Sequence, residues 1–114
     1  NFSKIELLRS DKQKQETYKS ITQIGHSAED MVLMVNNLKA ELGAAVLCNQ
    51  YIISGGIKNF LDGYYLMEKL NASSVYGQAS ALLRHAEKSY EELEQFLSDQ
   101  IEGLKLANAF FRIK

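Results

Sequence analysis

Leu42-Gly43-Ala44-Ala45-Val46-Leu47-Cys48-Asn49-Gln50-Tyr51-Ile52-Ile53-Ser54-Gly55-Gly56 is the stretch on which the fold turns. It follows Ile21, Ile24, Ala28, Met31, Val35, Leu38 and Leu42, whose alternating spacings of three and four keep one side of a helix apolar. Ala45, Val46, Cys48 or Asn49, Ile52 and Ile53 extend that face, and Ser54-Gly55-Gly56 is the strongest turn signal in the chain. The spacing therefore predicts one helix from Ser27 to Ile53 with a break after it.

Working outward, Ser3 followed by Glu6 has capping-box spacing and predicts a first helix from Ser3 to Ile24, interrupted at Gly25-His26-Ser27. Ser27 with Asp30 is a second N-terminal signal. Ile57, Phe60, Leu61, Tyr64, Met67 and Leu70 mark a third helix from Ile57 to Leu70, followed by a polar connector at Asn71–Ser74. Val75, Ala79, Leu82, Ala86, Tyr90, Leu93, Leu97, Ile101, Leu104, Asn108 and Phe111 predict a long fourth helix from Ser74 to Arg112, roughly 55 Å in length. Strand signals, meaning β-branched residues alternating between turn dipeptides, are nearly absent by this reading.

The expected fold is accordingly all-α: a single domain over residues 1–114, an antiparallel bundle of four helices with a long C-terminal one. The alternative fuses helices 1 and 2 into one rod and leaves an elongated three-helix bundle. Composition agrees with few loops, since 114 residues contain no proline, one cysteine, 46 % hydrophobic and 24 % charged residues. Lys4, Arg9, Lys12, Lys14 and Lys19 make the first helix basic and Glu87, Glu91, Glu92, Glu94, Asp99 and Glu102 make the last acidic, so antiparallel packing would set Lys12 and Lys14 beside Asp99 and Glu102.

A formal charge of −1 supplies no field for gathering nucleic acid or an anionic membrane. No apolar run of about 18 residues occurs, so no transmembrane segment is expected. One cysteine forms no internal disulfide, which leaves cytosolic and secreted locations both open. The chain opens with Asn1 in place of Met, as expected after processing or trimming.

Catalytic signatures are missing too. The residues three before His26 and His85 are Gln23 and Leu82, so the Glu-x-x-His pairs of di-iron bundles fail, and no metal is expected. Cys48 lies in an apolar stretch with no histidine nearby in sequence and reads as a buried structural thiol. Neither GxSxG, a P-loop nor GxGxxG occurs, and Glu91, Glu92 and Glu94 read as a solvated acidic face. No cofactor is called for, and the chain is expected not to be an enzyme.

Aromatic and apolar side chains exceed what one such bundle buries. Tyr65, Tyr90, Leu97, Phe110 and Phe111 are candidates for an interface with a protein partner or a second copy. Tyr51, Phe60, Tyr64 and Met67 could instead line a small-molecule pocket between helices 2 and 3. Tyr64 with Glu68, and Tyr90 with Glu94, resemble the YxxxE element near the ends of small helical proteins exported by specialised bacterial secretion systems. Those helical hairpins carry a Trp-x-Gly turn, and this tryptophan-free chain has none, so no family is assigned. The expected function is a non-enzymatic helical-bundle interaction module, coiled-coil-like and self-associating in one version. The alternative is a sensory or ligand-binding bundle.

Overall fold

A computed structural model describes residues 11–20 and 24–114. Helix α1 (Lys12–Tyr18) starts at Asp11, whose side chain accepts from the Lys14 amide, and buries none of its residues. Helix α2 (Ala28–Leu42) starts at Ser27 in a full capping box: the Ser27 hydroxyl accepts from the Asp30 amide, and the Asp30 carboxylate accepts from the Ser27 amide. That local chemistry separates α1 from α2, so the fused rod does not form. Helix α1 begins after the Asp11 cap, and the Ser3 end of the expected first helix lies outside the described residues.

The stretch from Leu42 to Gly56 is not helical to Ile53. Helix α2 ends at Gly43, a 3-10 turn covers Gly43–Ala45, and Gln50–Ser54 forms strand β1. Helix α3 (Phe60–Lys69) follows, capped by Asn59, whose side-chain oxygen accepts from the Leu61 and Asp62 amides. Ser73–Gly77, whose residues from Ser74 on are expected to open the last helix, is strand β2, which pairs with β1 in parallel register: Gln50 with Ser73, Tyr51 with Ser74, Ile52 with Val75, Ile53 with Tyr76 and Ser54 with Gly77. Parallel strands need a crossover of a dozen or more residues, and α3 supplies it. The unit is βαβ, so the all-α bundle, the four-helix count and the coiled-coil reading are corrected to a largely helical chain built around a two-stranded parallel sheet.

The long fourth helix is divided as well. After β2 come α4 (Ser80–Ala86) and α5 (Tyr90–Phe110), the latter capped by the Ser89 hydroxyl on the Glu92 amide. Its 21 residues span about 32 Å, not 55 Å. Serine at the N-cap, with no glycine nearby, is enough to restart a helix there.

Helix α3 packs against both strands, α2 and α5. Val32 of α2, Ile53 of β1, Ile57, Leu66 of α3 and Leu70 form the buried cluster, with Val35, Tyr51, Met67 and Tyr76 against it. On its other side α3 meets α5 through a close approach: a methyl on Gly103 would lie 2.4 Å from the Phe60 ring. Among the described residues the ion pairs join Glu29 to Lys69, Glu92 to Lys88 and Glu16 to Lys19, and the His85 ring nitrogen Nδ1 lies 3.5 Å from the Glu92 carboxylate. Lys12 and Lys14 therefore do not meet Asp99 and Glu102 as antiparallel packing of helices 1 and 4 required. Cys48 is exposed, because the chain that carries it is extended and not part of a packed helix; its thiol lies 3.4 Å from the Gln50 carbonyl oxygen.

Candidate functional site

Side chains alternate across a strand, so the register sorts the sheet into two faces. Tyr51, Ile53, Ser74 and Tyr76 point toward α3. Ile52 and Val75, direct partners across the ladder, occupy the opposite face at 78 % and 60 % exposure. Parallel sheets are ordinarily covered on both faces, and an isolated two-stranded sheet is marginal in water. Among the described residues nothing covers the second face, and each of the two strands has an unpaired outer edge.

The carboxyl ends of both strands meet at one end of this unit. Gly55 and Gly56 follow β1 at φ of 101° and 76°, a backbone region that favours glycine, and a methyl built on either would meet nothing within 4 Å. Gly77 closes β2 beside Ser54, and the Gln78 side-chain amide donates to the Lys58 carbonyl at 2.5 Å, tying the two loops together. The amino end of α3 is occupied by the protein itself: Lys58 donates its amide to Asp62, Phe60 its amide to Gln100, and Leu61 and Asp62 theirs to Asn59.

The four pocket candidates are dispersed. Tyr51 stands on β1 and not on a helix, half-buried, its hydroxyl donating to the Cys48 carbonyl at 2.8 Å; burial, then its contact with Cys48, pushes the phenol pKa up. Met67 packs beside the same core cluster. Phe60 packs on α5 at Gly103. Tyr64, only 5 % exposed, donates to the Phe111 carbonyl at 2.9 Å and meets the Phe111 ring edge-on with centroids 6.4 Å apart. It borders an open groove of about 660 Å³ between α3 and the segment Phe111–Lys114, which neither Tyr51, Phe60 nor Met67 lines.

All five interface candidates are exposed. Tyr65 and Phe111 border that groove, Tyr90 and Leu97 share one side of α5, and Phe110 ends the helix. The Tyr65 hydroxyl donates to Glu29 at 2.8 Å while the Lys69 ammonium donates to both, clasping α2 to α3. The Lys69 and Tyr65 hydrogen bonds hold the Glu29 carboxyl below its ordinary range, and the bond to Glu29 holds Lys69 above its own. His85 stacks on Phe96 with centroids 4.2 Å apart. Among the described residues no group of three or more His, Cys, Asp or Glu could hold a metal ion, and no helix is long and apolar enough to cross a membrane.

Sequence reasoning missed Ile52, Val75 and the Gly55-Gly56 loop as site residues. The available signal was Tyr51-Ile52-Ile53 and Val75-Tyr76, two short clusters rich in β-branched and aromatic residues, each closed by glycine. No family model matches this chain, and comparison with curated proteins and with solved structures finds no match either.

Proposed function

We propose that this chain is a non-enzymatic protein–protein interaction module whose working surface is the bare face and free edges of its parallel sheet. The observation that carries the reading is the in-register pair Ile52 and Val75, exposed on a sheet type that is normally covered. The partner that fits is one that contributes β-strands and an apolar cover, because backbone donors and acceptors at a strand edge are satisfied by another strand. Covering the two side chains contributes roughly 1–2 kcal/mol each, and edge hydrogen bonds set the register. Ile52→Lys and Val75→Lys test it. Wild-type chain should enter a complex that protects the amides of residues 50–54 and 73–77 from exchange, and both variants should lose it. A complex that forms equally well with both variants, or leaves those amides unprotected, sinks the reading.

A second reading is favoured by the loop after β1. In open α/β arrangements ligands sit outside the carboxyl ends of parallel strands, and glycine-rich loops at that position approach phosphate groups closely. Gly55 and Gly56, open to solvent and joined to the end of β2 through Gln78, support a small phosphate-bearing ligand there. Titration with inorganic phosphate should shift the amide resonances of Gly55, Gly56 and Gly77 together, and Gly55→Val should abolish the response. Shifts scattered over surface lysines would refute it.

A further inference from the structure

Helix α5 carries a second apolar surface, separate from the sheet. At 100° per residue, Tyr90, Leu93, Leu97, Ile101 and Leu104 fall within an arc of about 80°. Tyr90 is 72 % exposed and Ile101 55 %, with Leu97 also exposed and Leu93 and Leu104 half-buried. Gly103 and Ala107, the residues α5 buries, lie to one side of this arc, centred about 100° around the helix from the middle of the strip. On its other side stand Glu94 and Lys105, about 20° apart around the helix, both exposed and neither in an ion pair among the described residues. Glu102 and Asp99 project about 140° or more from the centre of the strip and take no part.

We propose that the occupant of this strip is a second copy of the chain, with the two α5 helices antiparallel about a two-fold axis between residues 99 and 100. Charge decides the orientation. An antiparallel pair brings like flanks together, so Glu94 faces Lys105 of the second copy and Lys105 faces its Glu94, giving two equivalent ion pairs beside the apolar strip. A parallel pair brings unlike flanks together and would set Glu94 and Lys105 against the flank of Gln100 and Ala107, where no charge answers them. The strip is one helix wide and about 21 Å long, so it covers less than the roughly 800 Å² per partner of a standard interface, and a weak, concentration-dependent association is expected. This surface does not depend on the sheet-face reading.

Sedimentation equilibrium of the chain from about 10 μM to about 1 mM, at low and at physiological ionic strength, tests it. A monomer–dimer equilibrium is expected, weaker at the higher salt. Glu94→Lys and Lys105→Glu should each weaken it about five- to tenfold, and the double swap Glu94→Lys/Lys105→Glu should restore wild-type affinity to within about twofold. Ile52→Lys should leave it unchanged. A monomer throughout, a double swap no tighter than the singles, or a dimer lost with Ile52→Lys overturns the proposal; the last would place self-association on the sheet.

Discussion

Gly63 sits inside α3, where glycine ordinarily costs about 1 kcal/mol against alanine, because the Tyr76 ring occupies the space a methyl would need, 2.4 Å from the built position. Gly63→Ala should therefore destabilise the fold by about 1–3 kcal/mol in urea unfolding, despite its better helix propensity. The Ser27–Asp30 cap has a pH signature. Hydrogen bonds from the Ser27 side chain and backbone lower the Asp30 pKa from 3.8, so the folded state holds this carboxylate ionised more readily than the unfolded chain. Its contribution is present above the unfolded value and disappears as pH falls through the folded one. Ser27→Ala should cost about 1 kcal/mol near neutral pH and progressively less below about pH 4, followed by thermal unfolding across that range. Caps of this kind were legible because donor and acceptor lie three residues apart; the approach of Gly63 to Tyr76 was not, because it depends on where a strand docks.

Between elements, a spacing of three and four does not by itself separate a helix from a short strand. A five-residue strand with apolar residues at positions 51, 52 and 53 satisfies a helical stripe as easily as a strand, and only length and flanking glycine arbitrate. Ile57 to Leu70 read correctly in type, and Asn59 trimmed it by capping at the amino end. The fourth helix read as continuous because Val75, Ala79, Leu82 and Ala86 happen to keep the three-and-four spacing across a strand and a short helix. Of the residues named from sequence as interface candidates, Tyr65, Tyr90, Leu97, Phe110 and Phe111 are exposed, which composition alone suggests when apolar residues outnumber what a small core can bury. Ile52 with Val75 could not be named in advance, because their pairing spans the crossover. The joint between α3 and the end of α5 is testable at this scale: Tyr64→Phe removes the hydroxyl that donates to Phe111 and should cost about 0.5–1.5 kcal/mol, with faster exchange at the Phe111 and Arg112 amides.

For the molecule as a whole, eight apolar residues are buried among those described, against nineteen large apolar residues that remain exposed. The core lies where α3 joins β1 to α2, while α1 buries nothing. Stability should be graded accordingly. Native-state hydrogen exchange should give the greatest protection to Leu66, Leu70 and Ile53 and almost none to Lys12–Tyr18, and equal protection across both would contradict this arrangement.

The two strands of the sheet contain no charged residue and no proline: Gln-Tyr-Ile-Ile-Ser and Ser-Ser-Val-Tyr-Gly. Natural sheets guard free edges with lysine, proline or a bulge, and a short uncharged β-branched segment without such gatekeepers is a template for further copies of itself. Left without cover, the chain is therefore prone to fibrillar assembly through Gln50–Ser54, as a nucleated, lag-dependent rise in thioflavin fluorescence would reveal. Ile52→Lys places a gatekeeper in that segment and should lengthen the lag. The proposed partner would then have a timing requirement: to protect the sheet it would need to be in place soon after synthesis, before two bare edges find each other.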